Sequence, residues 1–267
     1  MSTTIAVLSQ KGGTGKTTLT RSVADVLQRT GASVLAVDGD PQGNLSDYFD
    51  TDPGAQPTLG EVLAGQAKAI DAIHGDVIPA NLGLAEAELI LSGKMGRELT
   101  MRNALRECKR RYDFLLIDCP PTLGLLTVNA LVASDQALLS TEAEYFSLQG
   151  VEQALEVISL ARENLNPELD VLGTVLNIAN MRTNHARETL ETLKSHFGDR
   201  VFKTVIRRSI AYAESAERAI PILEYRPDRG VDYLRLTGEI LDRLGMPERR
   251  EQVEALVEEL VPERARA

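Results

Sequence analysis

The stretch Lys11-Gly12-Gly13-Thr14-Gly15-Lys16-Thr17-Thr18 constrains this chain more than any other. It follows an apolar run, Ile5-Ala6-Val7-Leu8, and precedes apolar positions at helical spacing, Leu19, Val23, Val26 and Leu27. Strand, glycine-rich loop and helix, in that order, make a phosphate-binding loop. The glycines let the backbone wrap so that successive N–H groups point at phosphate oxygens, and the helix N-terminus adds partial positive charge. Lys16 is placed to reach the β- and γ-phosphates, and the Thr17 hydroxyl to ligate Mg²⁺. A second lysine, Lys11, opens the loop, which a generic phosphate loop does not need. A ligand-free glycine turn leaves the flanking strand and helix patterns unexplained, so the loop is read as binding a nucleotide.

Further short apolar runs recur along the chain: Ser33–Val37, Phe114–Ile117, Gln136–Ser140, Val171–Asn177 and Val201–Ile206, beside the first at Ile5–Ser9. They are continuous rather than alternating, as strands buried on both faces are. Helical patterns lie between them, at Thr17–Thr30, Met95–Arg111, Leu125–Val132, Leu148–Asn164 and His185–Phe197. Strands alternating with helices predict a doubly wound α/β fold, a mostly parallel sheet with helices on both faces. Right-handed crossovers then put the loops after the strands along one functional edge. No second core and no internal repeat is visible, so residues 1–267 are read as a single P-loop domain. It closes with an amphipathic helix at about 248–262, where Val253, Leu256, Val257 and Leu260 recur at helical spacing.

Composition bounds the setting. No stretch reaches the roughly 18 uninterrupted apolar residues of a membrane span, and Met1-Ser2-Thr3-Thr4 lacks the start of a secretory leader. Cys108 and Cys119, the only cysteines, suggest neither a disulfide framework nor a zinc site. A cytoplasmic protein is expected. The net charge of −10 argues against broad nucleic-acid affinity, but Asp199–Arg229 carries seven basic residues against five acidic and permits a small basic patch. The terminal helix has largely Glu on its polar positions, which speaks against a basic membrane anchor.

Two carboxylate motifs follow apolar runs. Ser33–Val37 leads into Asp38-Gly39-Asp40-Pro41-Gln42-Gly43-Asn44, where Asp38 and Asp40 alternate by two and in extended geometry point the same way. One of them is suited to orient metal-bound water and the other to position an attacking water; capping of the turn is the structural alternative. Asp118 follows four apolar residues in Phe114–Ile117 and stands where a Walker B aspartate holds Mg²⁺, directly or through water, while Pro120 and Pro121 stiffen the exit.

Taken together, these motifs resemble the deviant Walker A ATPases of the ParA/MinD family. Lys11-Gly-Gly-Thr-Gly-Lys-Thr-Thr, Asp38-Gly-Asp-Pro-Gln-Gly-Asn and Asp118-Cys-Pro-Pro-Thr-Leu-Gly-Leu-Leu-Thr-Val-Asn-Ala-Leu are similar to the ParA/Soj branch in particular. So are Glu144-Tyr-Phe-Ser-Leu-Gln-Gly and the stretch from Ile78-Pro-Ala-Asn-Leu to Glu88-Leu, and the likeness runs from about Thr4 to Leu244.

The resemblance implies an ATP hydrolase dependent on Mg²⁺ and slow on its own. Two subunits would sandwich ATP, with Lys11 reaching the partner's nucleotide and Lys16 its own. It makes Asp40 the residue that positions the attacking water and a neighbour of the metal, with Thr17 and Asp118 as the other metal-linked groups. Asp38 and Asn44 belong to the same switch-like loop. Nonspecific DNA and a ParB-like centromere-binding adaptor that stimulates hydrolysis are the implied partners, which places the protein on the nucleoid rather than a membrane. Gly12, Gly13, Thr14, Gly15 and Thr18 complete the phosphate loop.

The family segment usually written Ile-Pro-Arg-Asn-Val-Arg reads Ile206-Arg207-Arg208-Ser209-Ile210-Ala211 here. The Pro and Asn that line the adenine pocket in relatives are replaced by Arg207 and Ser209. Asn177, at a strand end as in the MinD branch, is an alternative adenine reader. Lys203, Arg207 and Arg208 are the expected DNA patch, whose binding would weaken with salt. The alternative function is a MinD-like regulator or an ATPase that positions cargo on a membrane or a protein assembly. A metabolic phosphotransferase would need a second-substrate site, and no motif for one is present.

Overall fold

Four or five consecutive apolar residues leave a strand no face to give to water, so each must be covered on both sides. The computed structural model, which describes residues 2–144 and 147–261, meets this with β1 (Thr3–Leu8), β2 (Val34–Asp38), β3 (Val77–Ile78), β4 (Phe114–Asp118), β5 (Gln136–Thr141) and β6 (Asp170–Leu176). Every pairing is parallel, in the order β3-β2-β4-β1-β5-β6. The register sets Val7 and Asp38 each opposite Asp118, so the first loop and both carboxylate motifs leave the sheet side by side.

Successive residues of each strand feed opposite cores. Ile5, Val7, Phe114 and Leu116 pack with α1 (Lys16–Arg29) and the C-terminal helices, whereas Ala6, Leu8, Leu115 and Ile117 face the other layer. That second layer contains α3 (Leu59–Ala64), α4 (Gly83–Ser92), α5 (Thr100–Ala104), α6 (Leu125–Ala133), α7 (Ser147–Asn164) and α8 (Asn184–Phe197); α2 (Asn44–Tyr48) lies directly after the second carboxylate motif. The first layer is completed by α9 (Ala211–Glu217), α10 (Ile222–Tyr225), α11 (Pro227–Arg243) and α12 (Pro247–Leu260). In α12 Val253 is buried and Leu256 and Val257 pack partly against the same core. Residue 262 of the expected terminal helix lies outside the described residues. Among the described residues no helix is long and apolar enough to cross a membrane.

Two sequence expectations are corrected. Val201–Ile206 is not a strand. Phe202 N and Ile206 N do reach Thr174 O (2.9 Å) and Leu176 O (3.0 Å) on β6, but the amides between them turn away. Lys203 N and Thr204 N donate instead to the Glu239 carboxylate of α11 (2.9 and 2.7 Å), and the ladder is interrupted. The expected helix Met95–Arg111 is broken as well. Gly96 sits at φ +67°, α5 covers only Thr100–Ala104, and a separate 3₁₀ turn at Cys108–Arg110 leads to β4. The two-residue β3 and the long α11 are additions, since neither follows from an isolated apolar run.

Candidate nucleotide-binding site

The phosphate loop is built on β1 and α1 as its sequence requires. Gly13 and Gly15 adopt φ +83° and +73°, a region that residues with a Cβ rarely enter. Gly15 caps α1 without a side-chain hydrogen bond, and the first intrahelical bond is Leu19 N to Gly15 O (2.9 Å). The amides of the first turn are therefore left to a ligand. Hydroxyls tie the loop down from behind: Ser9 Oγ donates to Lys11 O (2.7 Å), Thr14 Oγ1 to Ser9 Oγ (2.8 Å) and Ser140 Oγ to Thr14 O (2.8 Å).

The carboxylates divide their work. The Thr17 hydroxyl donates to Asp118 Oδ2 (2.7 Å), while Asp118 Oδ1 is buried with no hydrogen-bond partner. Burial, followed by the charge of neighbouring Asp38, pushes the Asp118 carboxyl up to about 7 against the Thr17 bond and the Lys16 ammonium. Asp38 is also buried and pushed up to about 6, but both of its oxygens are in use. Oδ1 accepts Asp40 N (3.1 Å), and Oδ2 accepts Ser46 N (2.8 Å) and Ser46 Oγ (2.7 Å). Ser46 Oγ in turn accepts Ala80 N (2.9 Å), which joins the motif to the exit of β3. Of the two readings of the alternating pair, capping of the turn therefore describes Asp38. Asp40 is half-buried and lines the cavity, and among the described residues its carboxylate accepts only Gln42 N (3.0 Å).

Beside the loop opens a cavity of about 1050 Å³. Lys16, Thr17 and Asp40 line it together with Ile178, Ser209, Ile210 and Tyr212. A lining that combines polar and cationic groups with apolar ones suits a molecule that carries both phosphates and a flat ring.

A model of the AAA domain family matches residues 2–171. The sporulation initiation inhibitor protein Soj of Bacillus subtilis is 39% identical over 245 residues, covering 88% of this chain and 97% of Soj. The chromosome partitioning protein ParA of Caulobacter vibrioides is 35% identical over 250 residues, 90% of this chain and 94% of that protein. The chain belongs to the ParA/MinD family of P-loop ATPases. Among solved structures, a cobyrinic acid a,c-diamide synthase from Mycobacterium smegmatis with bound ADP and magnesium superposes with a TM-score of 0.75 at 34% identity, covering 86% of this chain and 93% of that one.

The residues of this ParA/MinD member fit a nucleotide with Mg²⁺. The orphaned Asp118 Oδ1 and the uncapped α1 N-terminus are unmet demands at one place, with the Thr17 hydroxyl beside them on Asp118 Oδ2. A divalent cation would meet the first and a phosphate chain the second. Among the described residues no cluster of three or more His, Cys, Asp or Glu could hold a metal alone, so such a cation would take most of its ligands from phosphate and water.

The outer contacts depart from expectation. Asn177 is not in the cavity lining, and its side chain is engaged by the loop. Its Nδ2 donates to Thr14 O (2.9 Å) and Ser140 Oγ (3.1 Å), and its Oδ1 accepts Ile178 N (2.9 Å). It is a strut of the phosphate loop, and a Cβ on Gly15 would lie 2.8 Å from its Nδ2. Asn177→Ala is expected to cost about 2 kcal/mol, because buried backbone groups lose their partners. Thermal unfolding with and without nucleotide checks this, and an unchanged midpoint would remove the strut role. Arg207 is likewise not in the cavity lining: its Nε and Nη2 clamp the Asp232 carboxylate (2.9 and 2.8 Å). Ser209 does line the cavity, and so does Arg208. Lys203, Arg207 and Arg208 are all exposed.

Sequence reading missed Ser46, Ser9, Ser140 and Ile178. The hydroxyls have no spacing signal, because they act across loops that only the sheet register brings together. Ile178 is a β-branched residue at φ +52°, a rare backbone state held by Asn177 beneath it.

Proposed function

We propose that the chain is an ATP-dependent DNA-partitioning ATPase that works as a nucleotide-sandwich homodimer, binds DNA nonspecifically when ATP is present, and is released by hydrolysis. The reading rests above all on near end-to-end similarity to Soj and ParA, which extends through both carboxylate motifs. In this reading the protein acts in the cytoplasm on the nucleoid, as a single ATPase domain, and a ParB-like adaptor accelerates a slow intrinsic turnover.

The chemistry follows from the side chains. Lys16 holds the β- and γ-phosphates of the subunit's own ATP, and the amides of the first turn of α1 hold the rest of the phosphate chain. Thr17 and Asp118 would hold Mg²⁺, which would neutralise charge on the phosphates. Asp40 orients the attacking water and accepts its hydrogen bond. Lys11 supports the sandwich in a specific way. It is exposed, pairs with Glu144 and is not in the lining of its own nucleotide cavity, so on release from Glu144 its ammonium can reach ATP presented by a second subunit. A cation delivered in trans stabilises charge that develops in the transition state.

The test is retention of duplex DNA by the full chain with ATP, with ADP and without nucleotide. Retention is expected with ATP only and should fall steeply between 50 and 200 mM salt, as phosphate contacts do. Equal retention without nucleotide would sink the switch. Flotation with anionic vesicles in place of DNA would favour the membrane-positioning alternative.

A further inference from the structure

Of the expected DNA residues, Arg207 pairs with Asp232 and Arg208 also lines the nucleotide cavity, while Lys203, Arg207 and Arg208 are all exposed. A stronger concentration of positive charge lies elsewhere. Between Lys94 and Arg111 the chain has seven Lys and Arg against Glu98 and Glu107, a local +5 in a chain of net −10.

The broken helix gives this segment its shape. Gly96, the short α5 and the 3₁₀ turn at Cys108–Arg110 wrap the chain around α3 instead of extending it as one rod. The result is an open groove of about 740 Å³, which Lys68, Lys94, Arg106, Arg110 and Arg111 line together with the single carboxylate Glu107. All five cations are exposed, and Glu107 is bonded to Arg111 (2.5 Å). Lys94 Nζ donates to Ala64 O (3.2 Å) and Arg106 Nη2 to Asn103 Oδ1 (3.3 Å). Among the described residues, Lys68, Lys94, Arg106 and Arg110 have no ion pair. In the C-terminal half Arg207, Arg226, Arg229, Arg249 and Arg250 each face a carboxylate, so the cations there that lack an ion pair are more scattered along the chain.

We propose that this groove, between α3 and α5, holds the sugar–phosphate backbone of duplex DNA. The inference rests on the partitioning reading and adds to it a DNA surface apart from residues 203–208. Like charges gathered without counter-charges repel one another, and a polyanion removes that repulsion while releasing its own condensed counterions. The cations stand on long, exposed side chains along an open trough. Such a surface contacts phosphates without reading base edges, as nonspecific binding requires.

A single groove with about four phosphate contacts gives a salt slope near −4 and weak binding. Two grooves on one ATP-held dimer act at high effective concentration and bring the slope to about −7. ATP dependence then arises from dimerisation, with no change in the groove itself.

The test measures affinity of the full chain for random-sequence duplex DNA against salt, with ATP and Mg²⁺, alongside ATP affinity. Arg106→Glu with Arg110→Glu is expected to weaken DNA binding at least tenfold and to flatten the salt slope, leaving ATP affinity unchanged. Lys68→Gln with Arg110→Gln, which removes charge without reversing it, is expected to act in the same direction and covers the case of a misfolded double reversal. Lys203→Glu should have little effect. Wild-type DNA affinity and slope in folded groove variants would overturn the groove while leaving the partitioning reading intact. No DNA binding by the wild type under any nucleotide condition would overturn both, as would groove-dependent binding of phosphatidylglycerol vesicles in place of DNA.

Discussion

Lys16→Ala is expected to remove nucleotide binding almost completely. The side chain is buried at the start of α1, in the lining of the cavity beside the phosphate loop. Charge-assisted hydrogen bonds contribute about 1.5–3 kcal/mol each, so losing those to two phosphates weakens affinity at least about 100-fold. Titration with a fluorescent ATP analogue reads this directly. Affinity within a few fold of wild type would mean that the phosphates lie elsewhere. The fold should survive, because the loop is anchored by Ser9, Ser140 and Asn177 rather than by the lysine.

Asp40→Ala is expected to separate binding from turnover. Asp40 accepts one hydrogen bond, from Gln42 N, so its removal disturbs little of the loop. Asp38 cannot replace it, because both Asp38 oxygens are engaged by Asp40 N and Ser46. Losing the group that orients water should lower turnover by about 100-fold or more. ATP affinity and the ATP-loaded dimer should persist, as read by phosphate release beside analytical sedimentation. Turnover at the wild-type rate would remove Asp40 from the mechanism.

The contrast between these two aspartates marks where the sequence was legible. Residues 11–18, Asp40 and Asp118 lie at the ends of apolar runs, and a parallel sheet must bring such ends to one edge. Position on that edge is thus implied by local pattern alone. Partnership across the edge is not. Nothing in the spacing of Asp38 and Ser46 says that one holds the other, and Asn177 reads equally well as a base contact or a strut until Thr14 is seen beneath it. The same blindness applied to charge. Arg207 looked free because Asp232, twenty-five residues on, is brought to it only by α11. The groove cations of 94–111 looked like an ordinary helix surface because the break at Gly96 and after Ala104 has no strong sequence mark. Glu239 shows the same effect in the backbone, where a distant carboxylate turns an expected strand into two isolated contacts with β6.

The segment beside β6 bears on how this protein can change. It is joined to the sheet through main-chain groups: Ile206 N to Leu176 O, Ala179 N to Ile206 O and Arg208 N to Ala179 O. Bonds of that kind do not depend on which side chains the segment carries. The wall therefore keeps its place where this chain departs from the ParA pattern at positions 207, 209 and 211, and at 207 the new arginine adds a clamp on Asp232. The site is in effect modular, with an engine set by its side chains and a cover held by main chain.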